Sequence, residues 1–263
     1  MSNQIVIAIP TYNEIDNIHI ICSRVFAAMP DAKLWFIDDN SPDGTGQHLD
    51  FLAENDSRIQ VFHRAGKLGV GSAHIHAILH AYEQRIETLV TMDADLTHSP
   101  ERINEMMHLL RESDAAVVLT SRFIANGGLT GWSITRRILT NLGHLLTKTL
   151  LLLPYDASGA FRAYNLSQIP KECFTITKST GYSFFYESLK IFVINKLKIE
   201  EIPITLPART QGHSKMKLSD IFQSLTYMIK LAWSTLTHKK RFIVSRSELN
   251  GLAITNQQGR NVD

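Results

Sequence analysis

Up to residue 122 this chain alternates short β-branched runs with helical patterns, and that alternation narrows the folds open to it more than any other feature. Runs at 5–9, 34–37, 59–62, 89–92 and 116–119 read as strands; the segments 15–28, 46–54, 70–85 and 100–111 read as helices. The last of these opens with Ser99-Pro100-Glu101, a cap followed by the proline and the acid that suit a first turn. Strands separated by helices pair in parallel and need cover on both faces, so the expected class is α/β with a largely parallel central sheet flanked by helices. Beyond Trp132 the pattern is helical as far as Pro154, irregular through Gly159 and Gly181, and strand-like again at 198–202. Residues 252–263 carry Asn, Gln and Gly without periodicity and are expected to fray.

With 263 residues, 44% of them hydrophobic, the chain can bury a substantial core as one domain. Its 27 basic and 25 acidic residues leave a net charge of +2, too little to signal a general polyanion partner, so nucleic-acid binding has no support. Cys22 and Cys173 stand in apolar settings with neither a disulfide framework nor metal-ligand spacing. The chain runs directly into Ile5-Val6-Ile7-Ala8-Ile9 without a basic, apolar leader, and a cytoplasmic location is the expectation. No stretch reaches the roughly 20 apolar residues that cross a bilayer. The most lipid-compatible segments are 138–154 and 221–236, the second followed by His238-Lys239-Lys240-Arg241-Phe242. Taken singly, each reads as a core-facing helix and the basic run as a solvated face.

The chemistry gathers where strands end. Asp93-Ala94-Asp95 follows the apolar run 88–92, and two carboxylates beyond the carboxyl end of a parallel strand make a divalent-cation clamp of hard oxygen ligands. After the first strand, Pro10-Thr11-Tyr12-Asn13-Glu14 ends the strand at Pro10 and offers Asn13 as a helix cap, with Tyr12 and Glu14 for a base and a ribose. After the second, Asp38-Asp39-Asn40-Ser41-Pro42-Asp43-Gly44-Thr45 is rich in turn formers, and taken alone it reads as an Asx turn. The third loop, 64–72, has its glycines and Lys67 in the wrong order for a Walker motif, and His74 stands where a dinucleotide fingerprint needs its last glycine. A flexible cationic loop opening a helix remains, suited to a ribose or phosphate. The histidines form no HExxH, and His74, His76 and His80 are placed on one helix face.

Taken together, these segments resemble the family 2 inverting glycosyltransferases, and within them most closely the polyprenol (dolichyl) phosphate mannosyltransferases. The resemblance continues through Ser121-Arg122-Phe123, Gly131-Trp132 with Arg136-Arg137, Ser158-Gly159-Ala160-Phe161-Arg162-Ala163-Tyr164, Gly181-Tyr182-Ser183-Phe184 with Glu187, and Arg209 with Gly212-His213-Ser214-Lys215, covering about residues 4–236. It implies a GT-A fold: a catalytic domain over 1–236, with a nucleotide-sugar half (1–122), an acceptor half (123–236) and a basic tail (237–263). By position, Pro10, Tyr12, Glu14 and Asp39 hold the nucleoside, with Lys67 nearby. Asp93, Ala94 and Asp95 serve the donor, Asp93 and Asp95 also serving a Mg²⁺ or Mn²⁺ ion. Arg122 serves the donor diphosphate, Arg136 or Arg137 the acceptor phosphate, and Arg209 and Lys215 close over the donor. Where the mannosyltransferases place a metal-binding Gln two residues after the second Asp, this chain has Thr97, whose shorter hydroxyl can ligate directly or through water. Ala160 likewise replaces the usual Gly.

The implied reaction moves a sugar, mannose from GDP-mannose, to a polyprenyl phosphate, with charge on the leaving diphosphate stabilised electrostatically. A lipid monophosphate is already ionised and needs no general base, and a guanidinium fork matches its geometry. A hydroxyl acceptor instead needs a carboxylate base, for which Asp156 and Glu187 are the choices. That alternative is a soluble family 2 enzyme using a UDP-sugar; another is a silent nucleotide-sugar-binding protein. A lipid acceptor also brings peripheral membrane contact into view through 138–154, 221–236 and the Lys239-Lys240-Arg241 cluster.

Overall fold

The computed structural model describes residues 4–208 and 218–244, so Arg209, Lys215 and the end of the tail lie outside the described residues. The alternation materialises as β1 (Ile5–Thr11), α1 (Ile15–Ala28), β2 (Lys33–Asp38), α2 (Thr45–Asn55), β3 (Ile59–His63), α3 (Val70–Glu83), β4 (Thr88–Thr91), α4 (Ile103–Glu112) and β5 (Val117–Ser121). There follow β6 (Gly128–Thr130), α5 (Ile134–Leu150), β7 (Arg162–Asn165), α6 (Glu172–Thr175), α7 (Ser183–Ile194), β8 (Ile199–Pro203), β9 (Thr205–Pro207) and α8 (Leu218–Thr237). Short 3₁₀ turns at Pro100–Arg102 and Lys239–Phe242 precede α4 and follow α8.

Seven strands form one sheet in the order β3-β2-β1-β4-β7-β5-β8. Side chains alternate across it: Val6 and Ala8 point into a core filled by α3 and α7, Ile7 and Ile9 into one filled by α1 and α4. Apolar residues on α1 (Ile18, Ile21, Cys22, Val25) and α4 (Ile103, Met106, Met107, Leu110) recur at three- and four-residue steps, which is why each lies flat on that face.

Only β7 runs antiparallel, pairing Thr91 with Arg162 on one side and Leu119 with Arg162 on the other. The carboxyl ends of β1, β2, β3, β4, β5 and β8 therefore share one edge with the start of β7. The expectation of an irregular 159–181 segment is corrected here. Arg162, at the head of β7, is fully buried because its guanidinium donates to Gly159 O (2.9 Å), Ser188 Oγ (3.0 Å) and Phe185 O (2.9 Å). A charged opening residue thus hides a central strand. The helix α7, also unexpected, is buried at every residue from Ser183 to Leu189, so its polar residues Ser183, Glu187 and Ser188 lie inside the protein instead of marking a solvent face.

Two further expectations change. Asn13 does not cap α1: it takes φ +56° and donates its backbone N–H to Ser41 Oγ (3.0 Å), leaving Glu14 at the cap position. The three histidines of α3 do not share a face. His76 and His80 pack edge-on against Phe62, whereas His74 is wholly buried against Phe184 and Phe185. The thiols of Cys22 and Cys173 are buried and pushed up to about 12, which makes them inert.

The segments at 138–154 and 221–236 depart most from expectation. Rather than facing the core, α5 buries only Thr147 and presents Ile134, Ile138, Leu142 and Leu145 to solvent at helical spacing. The neighbouring α8 exposes Phe222 (70%), Ile229, Trp233 (69%) and Leu236 (75%) while turning Met228 and Leu231 inward. Among the described residues no helix is long and apolar enough to cross a membrane.

Candidate active site

The turn after β4 is the tightest feature of the strand-end edge. Asp95, 9% exposed, accepts the Thr97 backbone N–H (3.1 Å) and the Thr97 hydroxyl (2.6 Å) on Oδ1, and Leu96 between them takes φ +61°. Thr97 thus stands at the carboxylate it was expected to assist, its hydroxyl donating to Asp95 and its lone pairs still able to ligate. Asp93 is more open, with 36% of its side chain exposed, and its backbone N–H donates to His98 Nδ1 (3.0 Å). Ala94 is buried between the two acids. Among the described residues no three His, Cys, Asp or Glu side chains converge as a cation cage. Two carboxylates and a hydroxyl suit a hard ion that takes its remaining oxygens from phosphate and water.

Beyond β1 and β2, two of the side chains expected to hold a nucleoside, Tyr12 and Asp39, meet the third loop. Pro10 pairs with Ile37 near the end of the sheet, and Lys67 Nζ lies 4.5 Å over the Tyr12 ring. Asp39 is buried, accepting the Leu68 N–H (3.1 Å) on Oδ2 while Arg64 Nε stands 3.0 Å from Oδ1. Burial raises the Asp39 pKa, against the pull of Arg64 and the loop N–H groups. Arg64, which the sequence placed only in a cationic loop, is therefore the partner that holds Asp39. Glu14 accepts from Asn17 Nδ2 (2.7 Å) at the start of α1, and its backbone N–H donates to Thr45 Oγ1 (3.0 Å).

Two of the three glycines of the third loop, Gly69 and Gly71, answer to packing. A Cβ on Gly69, at φ +99°, would stand 2.5 Å from Thr180 O; one on Gly71 would stand 2.5 Å from Gly181 O and 2.6 Å from Phe184 Cβ. Ser72 N–H seals the contact by donating to Thr180 O (3.0 Å). The loop is clamped to the turn before α7.

At the end of β5, Arg122 forms a fork with Asp156: Nε to Oδ2 at 2.7 Å and Nη2 to Oδ1 at 2.6 Å, with the Arg122 backbone N–H on Oδ2 at 3.1 Å. Nη2 also donates to Ser158 Oγ. The acid is 1% exposed; burial works to raise its pKa, but the Arg122 charge and hydrogen bonds outweigh it and hold the carboxyl below the usual range. The guanidinium expected on the donor diphosphate is thus committed, through two of its nitrogens, to a buried partner. Glu187, also 1% exposed, accepts from Lys178 N (3.1 Å), Ser179 N (2.9 Å) and Tyr227 Oη (2.7 Å).

Beyond β6, Ser133 caps α5 by accepting from Arg136 N (3.4 Å). Arg136 is half-buried, its guanidinium carbon 3.8 Å over the Trp132 ring; Arg137 is exposed. The two point different ways, as adjacent residues on a helix must. Sequence reasoning missed His98, which stands just outside the quoted acidic motif, and the Arg122–Asp156 pairing, which joins residues 34 apart. No local signal announces the latter.

The profile of Glycosyl transferase family 2 matches residues 6–184. The chain is 32% identical to polyprenol monophosphomannose synthase of Mycolicibacterium smegmatis, over 83% of this chain and 83% of that one. It is 33% identical to undecaprenyl-phosphate mannosyltransferase of Micrococcus luteus, over 79% and 85%. Among solved structures, it resembles glucosyl-3-phosphoglycerate synthase from Mycobacterium tuberculosis in complex with Mn²⁺, UDP and glucosyl-3-phosphoglycerate. That match has a TM-score of 0.60 at 18% identity and covers 93% of this chain and 82% of that one. The S. aureus TarS fragment 1–349 with UDP-GlcNAc matches with a TM-score of 0.58 at 15% identity, over 87% and 66%. The fold is that of the GT-A glycosyltransferases.

Proposed function

From the premise that this chain belongs to glycosyl transferase family 2 and is a glycosyltransferase, we propose that it moves mannose from GDP-mannose to a polyprenyl phosphate with the help of Mg²⁺ or Mn²⁺. The two relatives named for lipid-phosphate mannosyl transfer support the acceptor class and the sugar. The structural observation that carries the reading is the state of the two carboxylates a hydroxyl acceptor would need. Asp156 is buried and engaged by Arg122 on both oxygens, and Glu187 is buried beneath three donors. Neither can reach out to take a proton. An acceptor that arrives ionised asks for no base.

The residues divide the work accordingly. Tyr12, Asp39 and Lys67, with Pro10 and Glu14, line the nucleoside side of the edge, and Asp93, Asp95 and Thr97 Oγ hold the cation. When bound, that ion neutralises charge developing on the leaving diphosphate. Arg209 and Lys215, outside the described residues, are assigned by resemblance alone and would add positive charge at the same diphosphate. Arg122, which resemblance assigns to the donor diphosphate, would act there while fixed by Asp156 at the end of β5. The acceptor phosphate oxygen attacks the anomeric carbon as the bond to the diphosphate oxygen breaks; the electron pair leaves with the nucleoside diphosphate and the centre inverts. The base-free reading is tested by offering a short polyprenyl phosphate beside the corresponding alcohol. Transfer to the phosphate alone is expected, and comparable transfer to the alcohol overturns it.

Arg136 is the preferred phosphate clamp because Trp132 pre-orients its guanidinium. Arg136→Ala is expected to raise KM for the lipid phosphate about tenfold, the scale of one charge-assisted hydrogen bond, and Arg137→Ala less than about twofold. Equal, negligible effects in steady-state assays would remove the clamp.

The exposed stripes on α5 and α8, followed by Lys239, Lys240 and Arg241, support docking on an anionic membrane surface. Sedimentation with phosphatidylcholine vesicles, with and without phosphatidylglycerol, measures it. Binding is expected to require the anionic lipid and to fall by about tenfold for each of Phe222→Glu and Trp233→Glu, consistent with losing one buried aromatic. Unchanged binding in both variants would contradict this placement.

A further inference from the structure

We infer that His98 is a positioning residue for the acidic turn, setting the conformation of Asp93 through the unprotonated Nδ1 of its ring; the inference rests on the cation-binding reading above. His98 is 4% exposed and lies five residues beyond Asp93, yet its Nδ1 receives the Asp93 backbone N–H at 3.0 Å. An N–H can donate only to a ring nitrogen that carries no proton, so Nδ1 serves as the acceptor in this contact. The other ring nitrogen, Nε2, lies 4.0 Å from Asp93 Oδ2, outside hydrogen-bond reach. The imidazole thus engages Asp93 through its backbone.

The ring is itself fixed. It stacks on Phe161 with centroids 5.1 Å apart and planes 29° from parallel. Phe161 is fully buried immediately before β7, and its carbonyl receives the Thr120 N–H (3.2 Å) on β5. Next to it, Ala160 O receives the Thr91 hydroxyl (2.7 Å) at the end of β4. His98 therefore ties the turn to the place where β4, β5 and the antiparallel β7 meet. Thr97 closes the other half of the turn on Asp95, so the two acids are held from opposite ends. The histidine thereby helps to fix the backbone that carries the more exposed acid, since a metal ligand is only as well placed as the groups behind it.

Replacement by the two amides separates this role from packing. Asn places an acceptor near the position of Nδ1, Gln near that of Nε2, and both lose the aromatic stack. The readout is Mn²⁺ binding in the presence of GDP or UDP, followed by the electron paramagnetic resonance signal of the free ion, with thermal melting of each variant alongside. His98→Asn is expected to bind Mn²⁺ within about threefold of the unaltered protein, and His98→Gln about 10- to 100-fold more weakly, the scale of lost supporting contacts at metal sites. Equal loss in both variants, tracking their melting temperatures, would reduce His98 to a packing residue and overturn the inference. Undiminished binding by His98→Gln would also overturn it. Failure of the unaltered protein to bind Mn²⁺ with either nucleotide would refute the cation reading itself, an outcome visible before any substitution is made.

Discussion

Asp95→Ala is expected to lower sugar transfer by about a thousandfold or more while leaving a folded protein, the scale on which electrostatic stabilisation of a leaving group acts. Asp95 is the better buried acid of the turn, and Thr97 holds its Oδ1 from both backbone and side chain. Removing the carboxylate deletes an oxygen ligand of the proposed cation site and frees the Thr97 N–H and hydroxyl. The freed Thr97 groups are only partly buried, so the cost to stability of losing these two hydrogen bonds is about 1–2 kcal/mol. Steady-state rates with Mg²⁺ and Mn²⁺, beside a thermal melt, check both halves. A variant of normal melting temperature and near-normal rate would sink the metal assignment.

Asp156→Ala should have the largest effect on stability. It strands Arg122, only 10% exposed, without its carboxylate, and breaking one partner of a buried pair costs about 3–5 kcal/mol. For a chain of this size that is a melting temperature lower by about 10 °C. Double replacement, Arg122→Met with Asp156→Leu, should recover much of the loss, because it removes the uncompensated charge as well. The pH dependence has a definite sign. The folded carboxyl sits below its unfolded value of about 3.9, so its contribution is complete above that value and is lost as pH falls through the folded one. The difference in melting temperature between Asp156→Ala and the unaltered protein should therefore be full near neutrality and shrink in acid. A difference independent of pH would contradict the ion-pair account.

Much of this architecture was legible because apolar β-branched runs alternate with helical periods. The limits expected for α1, residues 15–28, match Ile15–Ala28, and the strand expected at 198–202 is β8. What stayed hidden was buried without a pattern. β7 opens on Arg162, a charge that reads as surface until its three hydrogen bonds are seen, and α7 buries its polar residues Ser183, Glu187 and Ser188 together with its apolar ones. The proposed site could be drawn from the sequence where its residues are local, as with Asp93, Asp95 and Thr97, which the structure brings into one turn. It could not where partners are distant: nothing near Arg122 in the sequence points to Asp156, and nothing near Asp39 singles out Arg64 from the basic residues of its loop. The outward stripes of α5 and α8 illustrate a different limit. Periodicity reveals that a helix has an apolar face, and only the fold reveals whether protein covers it.

The most direct test of the central claim is a transfer assay with Mg²⁺ or Mn²⁺ in which GDP-mannose, UDP-glucose and UDP-N-acetylglucosamine are offered in turn, with and without a short polyprenyl phosphate. Release of GDP that depends on both the cation and the lipid phosphate is the expected result. Turnover of any of these donors that the lipid phosphate fails to stimulate would contradict the account.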